Sequence, residues 1–385
     1  METRILIDAS SLMNELKRKH PPHGIPRVTQ AYLRHYYQSM QLLFRTSKRI
    51  FIFPSGISKK IADILLAWDS TKLWDLISLI LKGIIFSKRT KYEASYILIK
   101  TDYGGLNNPA LLRVLQQNRF KMVALIHDLI PITNPEYFPL QHFEKFVQGI
   151  KTILHTAKGV VTVSETTRYI LSNYISGAEL PCPPITSATL APGLAFSLSA
   201  EERPIAQPYF VIISSINERK NHMLLLHIWK RLIQKYGENS PRLVVIGYRH
   251  GECNYTYALM DRCPILQGFV IERQCTDEEL SNYLHHAQAL LFPSFSEGYG
   301  LPLVEALSFK VPVIASELPV FREVAGDIPD YLDPLDAINW MSCIENYILP
   351  DSPMRNAQLD RIKCFKVPSW KEHFDKIDHF IETIM

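Results

Sequence analysis

The stretch Leu290-Leu-Phe-Pro-Ser-Phe-Ser-Glu297-Gly-Tyr-Gly-Leu-Pro-Leu-Val-Glu305-Ala-Leu307 contains the signals for a buried strand, a glycine-bearing loop and a helix start. The apolar run 289–292 is typical of a central parallel strand, and Pro293 ends it because proline cannot donate to a strand ladder. Pro302 is favoured in the first turn of a helix, where its missing N–H is not needed. The stretch therefore predicts an α/β fold.

The loop of this stretch combines two glycines with a carboxylate at either end. A helix start presents unpaired N–H groups and the positive end of the dipole, and Gly298 and Gly300 let a diphosphate approach the main chain. Glu297, and Glu305 in the predicted first turn, would repel phosphate, so we expect them to face hydroxyl groups. The plainer alternative is that Glu305 only complements the helix dipole and that Glu297 is a solvated loop charge.

The surrounding pattern Pro-Ser-x-x-Glu-Gly-x-Gly-Leu-Pro-x-x-Glu-Ala resembles the E-x7-E signature of retaining GT-B glycosyltransferases, specifically family 4. The resemblance implies the GT-B fold, in which two Rossmann-like parallel-sheet domains face each other across a cleft. It also implies that Glu297 touches the donor sugar and that Glu305 binds the ribose. The phosphates and the sugar would be contacted by the backbone of Gly298, Tyr299, Gly300 and Leu301.

Length and composition favour two well-packed domains. The chain has 385 residues, of which 47% are apolar and 21% charged, so full cores are expected and disorder is not. Its six cysteines show no C-x-x-C spacing or clustering, which argues against metal ribbons and disulfide scaffolds and fits a reducing cytosol. The N-terminus runs straight into a strand and no apolar run reaches about 18 residues, so we expect neither secretion nor a membrane span.

The charge is unevenly distributed along the chain. Residues 1–195 hold 24 Lys or Arg against 13 Asp or Glu, whereas the remainder holds 18 against 25. A basic N-terminal domain favours peripheral contact with an anionic membrane surface or a diphosphate-bearing acceptor, although solubility alone is an equally ordinary explanation. We expect a cytoplasmic location, with contact at the inner face of the membrane, and no nucleic-acid partner.

The first half alternates strands with helices, which predicts a parallel sheet with right-handed crossovers. The strands are expected at residues 4–8, 50–53, 97–99, 122–126 and 160–163. Within the stretch 61–86 the run 76–86 is unusually apolar, and basic residues bracket it: Lys72, Lys82, Lys88, Arg89 and Lys91. We expect a core helix there; the alternative is a helix that lies in the headgroup plane of a membrane.

Two loops of the first half carry candidate site residues. Gly24, Ile25 and Arg27 resemble the Gly-Ile-x-Arg segment of family 4, which reaches toward the donor; the alternative is an ordinary turn with a surface arginine. His127 follows the strand 122–126, at the end of the strand where open α/β sheets bind ligands. His-Asp-Leu-x-Pro resembles the acceptor-side segment of the family, whose histidine contacts the transferred sugar near the reaction centre.

Residues 176–208 contain six prolines and little periodicity, which is typical of an interdomain linker. We expect an N-terminal acceptor domain at 1–195 and a C-terminal donor domain at 196–365. Residues 366–385 resemble the closing helix of the family, which crosses back to the first domain.

The second half begins with a strand at 209–214, and two adjacent cations follow it. Arg219 and Lys220 can neutralise a leaving nucleoside diphosphate, and their segment resembles the Gly-Thr-x-x-x-Arg-Lys-Asn of the family. In isolation such a pair is more often a solvated face. A further strand is expected at 264–270, where Gly268, Phe269 and Val270 resemble the turn whose backbone reads the nucleobase.

The sequence contains no D-x-D, G-x-G-x-x-G or Walker loop, so we expect no metal and no other cofactor, with cations and the helix dipole acting in their place. The resemblance implies a retaining glycosyltransferase that moves a hexose from a nucleoside diphosphate sugar to a glycan or polyprenyl-diphosphate-linked acceptor. GDP-mannose is favoured as donor because the motifs resemble those of bacterial surface-polysaccharide mannosyltransferases. The alternatives are a GT-B sugar-nucleotide epimerase or phosphorylase, and a non-catalytic glycan- or membrane-binding scaffold.

Overall fold

The computed structural model describes residues 4–18, 22–87, 96–117, 120–194, 202–251 and 253–385. The chain forms two units: the first comprises Met1–Leu190 and Ser369–Met385, and the second comprises Ala191–Pro368. The boundary expected between residues 195 and 196 lies outside the described residues, as do Lys88, Arg89 and Lys91.

The first unit is built on a seven-stranded sheet. Its strands are β1 (Arg4–Asp8), β2 (Met40–Arg45), β3 (Ile50–Ile52), β4 (Tyr96–Lys100), β5 (Lys121–Ile126), β6 (Ala157–Thr162) and β7 (Ile185–Ser187). They lie in the order β3-β2-β1-β4-β5-β6-β7, and all neighbours are parallel except β2 and β3. The chain leaves β1 in one direction to β2 and later returns on its other side at β4, so the topological switch lies between β1 and β4.

Nine helices accompany this sheet in the described part of the first unit. They are α1 (Ser10–Lys17), α2 (Ile25–His35), α3 (Ser55–Ala67), α4 (Leu73–Ser87), α5 (Pro109–Gln116), α6 (Ile130–Thr133), α7 (Leu140–Thr156), α8 (Glu165–Gly177) and, from the C-terminus, α16 (Trp370–Ile384). Ser164 caps α8 by accepting a hydrogen bond from the Thr167 N–H. The C-terminal helix α16 is fixed to the unit by His373, which bonds to the Tyr32 hydroxyl at 2.9 Å.

The second unit contains a six-stranded sheet that is parallel throughout. Its strands are β8 (Tyr209–Ile213), β9 (Arg242–Ile246), β10 (Val270–Arg273), β11 (Leu290–Phe292), β12 (Val313–Ser316) and β13 (Asp330–Leu332), in the order β10-β9-β8-β11-β12-β13. Its helices are α9 (His222–Tyr236), α10 (Asn254–Arg262), α11 (Asp277–His285), α12 (Leu301–Ser308), α13 (Pro319–Ala325), α14 (Ala337–Tyr347) and α15 (Pro353–Ile362). The topological switch here lies between β8 and β11.

The two central strands of the second unit, β8 and β11, are apolar along their whole length because helices cover both faces of the sheet. Alternate residues of β8 enter separate cores: Val211 and Ile213 pack with residues of α12 and α13, whereas Phe210 and Ile212 pack with residues of α9 and α14. A parallel sheet buried on both faces requires such continuous apolar runs. The predicted α/β fold with two parallel-sheet domains is confirmed.

Three expectations about local structure are wrong. Residues 264–266 form a 3-10 turn rather than the start of a strand, and β10 begins only at Val270. Glu305 is the fifth residue of α12 and so lies beyond its first turn. The stretch 61–86 is not one core helix: it divides into α3 and α4 at Trp68, which has a left-handed conformation (φ 50°). The polar run 69–72 that follows Trp68 was the available signal for this break, because Asp69 caps the turn that separates the two helices.

Helix α4 packs closely on the first unit at one point. A Cβ added to Gly83 would lie 2.6 Å from the Phe53 ring, so only glycine allows this approach. Leu76 and Ile80 are buried on the same side of the helix. None of the helices within the described residues is long and apolar enough to cross a membrane.

Candidate functional site

The candidate site of the second unit lies at the carboxyl ends of the two strands that flank the topological switch. The loop after β8 carries Arg219 and Lys220, and the loop after the neighbouring β11 carries Glu297. Their side chains meet although Lys220 and Glu297 are 77 positions apart in sequence. The two loops diverge here because β8 connects to one side of the sheet and β11 to the other, which leaves the crevice where ligands of such sheets bind.

Glu297 is held by both cations. Its Oε2 lies 3.1 Å from an Arg219 guanidinium nitrogen, and its Oε1 accepts a hydrogen bond from Lys220 Nζ. The three side chains are 9%, 16% and 11% exposed, respectively, so the cluster is nearly buried but accessible at its rim. The backbone joins the loops as well, since the Phe295 N–H donates to the Arg219 carbonyl at 2.9 Å. Two positive charges and one negative charge leave this cluster with a net charge of about +1.

The two cations keep Glu297 ionised. Burial alone raises the pKa of its carboxyl group, but the Lys220 and Arg219 charges outweigh that effect and lower the pKa from 4.5 to about 2. Glu297 is therefore an acceptor of hydrogen bonds at any physiological pH. Before a ligand arrives, the carboxylate holds both cations in place, and a diphosphate of higher charge can compete with it for them.

Helix α12 brings Glu305 to the same loop. Gly300 precedes the helix with φ at 103°, a conformation that favours glycine, and a Cβ there would lie 2.7 Å from Phe321. Tyr299 is buried, and Leu301 is the first helical residue. The Glu305 carboxylate is 4% exposed and accepts a hydrogen bond from the Gly193 N–H at 3.2 Å. The structure thus gathers Arg219, Lys220 and the segment 297–305 in one region.

Gly268, Phe269 and Val270 do not join this region. Val270 starts β10 and pairs with Leu243 at the beginning of β9, so these residues lie at the amino-terminal edge of the sheet. The backbone of Phe269 is also occupied, because its N–H donates to Leu266 and its carbonyl accepts from Leu243. The expectation that this backbone reads the nucleobase is wrong: it placed the strand at 264–270, and the real strand ends at Arg273, at the opposite edge.

In the first unit, His127 follows β5 at the carboxyl edge of the sheet. Its Nε2 lies 2.8 Å from the Thr101 carbonyl oxygen, and its backbone N–H donates to the Tyr103 hydroxyl at 2.7 Å. Burial lowers the pKa of the imidazole, so the ring is neutral near pH 7. Because a carbonyl can only accept, Nε2 carries the proton and Nδ1 is the acceptor.

The segment of Gly24, Ile25 and Arg27 starts a helix. Gly24 is the residue before α2, with φ at 55°, and Ile25 is its first residue. Arg27 is 7% exposed and donates from Nε to the Pro22 carbonyl at 2.6 Å. It is therefore not the surface arginine of the alternative interpretation. The structure describes these residues within the first unit, and their role toward a donor stays a prediction.

A buried charge network at the switch point of the first unit was missed by sequence reasoning. Asp8, the last residue of β1, bonds Arg45 Nε at 2.8 Å and Lys100 Nζ at 3.1 Å, and Lys100 also bonds Asp102. Burial raises the pKa of Asp8, but the Lys100 and Arg45 charges prevail and keep it low. Charged residues at the ends of two apolar strands were the available signal. Thr101 lies between Lys100 and Asp102 in the chain, and Tyr103 follows them. Both Thr101 and Tyr103 form hydrogen bonds with His127.

Within the described ranges, no group of three or more His, Cys, Asp or Glu side chains is placed to hold a metal ion.

Comparison with known proteins gives the family context of these features. Residues 198–328 match the family model of glycosyl transferases group 1. The O-antigen chain mannosyltransferase B of Escherichia coli is 30% identical over 226 residues, which cover 56% of this chain and 58% of that protein. The O-antigen chain mannosyltransferase RfbU of Salmonella typhimurium is 27% identical over 243 residues, which cover 60% and 62%. The chain thus spans about three fifths of the length of these relatives.

The fold is also found among solved structures. Anabaena HepE in complex with UDP-glucose superposes with a TM-score of 0.68 over 99% of both chains, at 14% sequence identity. At this identity the similarity concerns the fold alone. The motifs, the matched family model and the shared architecture agree, and we conclude that residues 198–328 carry a glycosyl transferases group 1 domain in a chain with the GT-B fold.

Proposed function

We propose that this protein is a retaining glycosyltransferase that moves a hexose, mannose from GDP-mannose as the favoured case, to a glycan or polyprenyl-diphosphate-linked acceptor in surface-polysaccharide biosynthesis. The observation that carries the proposal is the cluster of Arg219 and Lys220 around Glu297 at the switch point of the second unit. The choice of mannose rests on the O-antigen mannosyltransferases among the relatives. We place the reaction in the cytoplasm, at the inner face of the membrane.

In the proposed reaction the donor diphosphate displaces the Glu297 carboxylate from Arg219 and Lys220. The bond between the anomeric carbon and the diphosphate oxygen breaks, and the acceptor oxygen bonds to the same face of that carbon. The acceptor proton passes to the leaving phosphate oxygen. Arg219 and Lys220 stabilise the negative charge that develops on the leaving group, as preorganised cations do in a nearly buried site. We propose that these cations and the helix start at Leu301 take the place of a metal.

The carboxylates and the histidine are proposed to orient the donor. Glu297, ionised and released by the cations, accepts hydrogen bonds from the hydroxyls of the transferred sugar, and Glu305 accepts them from the ribose diol. The backbone of 298–301 approaches the phosphates. For His127 we propose that Nδ1 accepts a hydrogen bond from a hydroxyl of the transferred sugar, since Nε2 donates to Thr101.

A thermal-shift panel of GDP-, UDP-, ADP-, dTDP- and CMP-sugars tests the donor site. A ligand at about 100 times its dissociation constant stabilises the native state by roughly 2.7 kcal/mol, so one nucleotide class should raise the Tm clearly. Lys220→Ala and Glu305→Ala should abolish the shift. Lys235→Ala is the matched control, because Lys235 is exposed and pairs only at the surface with Glu345 and Tyr236. No shift for any sugar nucleotide with folded protein would refute the donor site.

Turnover separates the proposed transferase from the other GT-B activities. With the donor identified, release of nucleoside diphosphate should require a glycan or a lipid-linked acceptor. Turnover of the donor without any acceptor would instead identify an epimerase, and cleavage that requires phosphate would identify a phosphorylase. Binding of a glycan without any turnover would identify a scaffold.

A further inference from the structure

Helix α4 is apolar on the side that no described part of the chain covers. Trp74 is 81% exposed, Ile85 65%, Leu81 57% and Phe86 47%. Trp74, Leu81 and Ile85 lie on one side of the helix, whereas Phe86 lies beyond Lys82, so we call only the first three residues the exposed α4 face. The opposite side of the helix is already used, because Gly83 rests on the Phe53 ring. A surface helix of a globular protein normally turns polar side chains outward, so this face needs an apolar environment.

The exposed side chains form a continuous stripe. Trp74, Leu81 and Ile85 are spaced by seven and four residues, which places them in line along the helix, and Ser78 is the small residue between them. Ile77 and Ile84 flank the stripe on one side and are half-buried. The stripe runs for about three turns of the helix, which is long for an isolated group of surface apolar residues.

The charges around the helix are mostly positive. Lys72 precedes it and lies 3.8 Å from Asp69, and Lys82 is exposed at the border of the stripe. In sequence, residues 55–91 carry seven Lys or Arg against three Asp; the part 55–87 that the structure describes carries four Lys against three Asp, and the other three cations follow it directly in the chain. An apolar stripe with a tryptophan, bordered by lysines, is the pattern of a helix that lies in the plane of a bilayer surface.

We propose that the exposed α4 face inserts into the boundary between headgroups and acyl chains of an anionic bilayer, with Lys72 and Lys82 at the headgroups. A second copy of the chain fits less well. A symmetric dimer through this face would bring the same basic border of both copies together, and like charges would then oppose association. An anionic lipid surface attracts the same border. This inference uses no residue of the proposed donor site, so either one can fail without the other.

Vesicle sedimentation of the full chain tests the proposal. The protein should sediment with vesicles of mixed phosphatidylglycerol and phosphatidylcholine, and more weakly with phosphatidylcholine alone. Leu81→Ser/Ile85→Ser should weaken binding at least about tenfold, since each large apolar side chain contributes roughly that factor when fully transferred. Lys72→Gln/Lys82→Gln should weaken binding to the mixed vesicles by about tenfold or more and leave binding to phosphatidylcholine unchanged.

A matched control lies in the second unit. Leu335 and Ile338 are 77% and 79% exposed, comparable to the exposed α4 face, and Leu335→Ser/Ile338→Ser should bind vesicles like the wild type. Trp74 supplies a second measurement, because its emission should shift to the blue on binding. Trp74→Phe should lose most of that shift and keep most of the sedimentation, because Trp229 and Trp340 are buried and Trp68 and Trp370 are half-buried outside the exposed α4 face.

Three results would overturn the proposal. The first is absence of sedimentation with both kinds of vesicle. The second is an equal loss of binding in the control variant and in Leu81→Ser/Ile85→Ser. The third is a lipid-free dimer, measured by light scattering, that Leu81→Ser/Ile85→Ser converts to monomer; that result would assign the face to a second copy of the chain.

Discussion

The cluster of Arg219, Lys220 and Glu297 should behave as one energetic unit, which Lys220→Met tests. The lowering of the Glu297 pKa from 4.5 to about 2 corresponds to roughly 3 kcal/mol of preference for the ionised form at neutral pH. Removal of one partner of a buried ion pair costs about 3–5 kcal/mol in other proteins. Arg219 still holds the carboxylate in the variant, so we expect a loss of about 2–3 kcal/mol in the stability of the second unit.

The second variant, Glu297→Gln, leaves two cations together without their carboxylate and should cost about 3–5 kcal/mol. In the double variant Lys220→Met/Glu297→Gln neither an unpaired carboxylate nor a pair of unopposed cations remains. Its loss should therefore be smaller than the sum of the single losses, by about 2 kcal/mol. Donor binding should nevertheless stay abolished in the double variant, because one of the two cations for the diphosphate and the carboxylate for the sugar are gone.

Native-state hydrogen exchange of the β8 amides measures the opening free energy of the second unit by itself, which a global unfolding curve of two units does not. The pair of Lys235 and Glu345 at the surface, 2.9 Å apart, is the matched control. A double-mutant cycle on this pair should give a coupling free energy below about 0.5 kcal/mol. Additive losses within about 0.5 kcal/mol for Lys220 and Glu297 would refute the reasoning. Donor binding by the double variant would show that the cluster is not the diphosphate site.

Two further predictions concern the glycine before α12 and the buried histidines. Gly300→Ala should destabilise the second unit by about 2–4 kcal/mol, because alanine strains the backbone at φ 103° and its Cβ meets Phe321. Urea unfolding measures this loss. Gly56→Ala is the control, since nothing lies near its Cβ, and it should leave urea unfolding nearly unchanged. Burial lowers the pKa of His222 to about 3 and that of His373 to about 4, so the unfolded chain binds these protons first and stability falls as the pH drops below 6.5. Hydrogen exchange at pH 7 and pH 5, corrected for intrinsic rates, should show a loss of about 2 kcal/mol from each histidine, and equal stability at both values would contradict the assignment.

The sequence predicted those features that depend on local pattern. Continuous apolar runs separated by helical periodicity indicated two parallel sheets, and Pro302 after a glycine-bearing loop indicated the start of α12. Placement of Arg219 and Lys220 at the end of one strand, and of Glu297 at the end of another, was also local information. Their meeting was not, because it depends on β8 and β11 being neighbours in the sheet. Only the resemblance to a known family indicated in advance that these two strands are neighbours.

The position of β10 and the exposed side of α4 were missed for the same reason. Local composition shows neither a shift of a strand by a few residues nor which side of a helix is covered. Pro264 and Gly268 punctuate an apolar segment, and Gly268 has φ at 76°, so the chain turns before β10 rather than after it. The expected base-reading turn thereby moves to the opposite edge of the sheet. In α4, apolar residues occur all round the helix, and only the packing of Gly83 on Phe53 decides which side is covered.

Charged residues occupy equivalent positions in the two units, and the net charge of the two clusters differs. Asp8 and Lys100 end the two strands that flank the switch point of the first unit; both side chains are fully buried and lie within a network of two carboxylates and two cations. Lys220 and Glu297 follow the corresponding strands of the second unit, and their cluster has an excess of one positive charge. In the network of the first unit each positive charge is balanced by a carboxylate, so no cation is in excess there. In the second unit the spare positive charge allows the cluster to exchange its carboxylate for a diphosphate, as the proposed function requires.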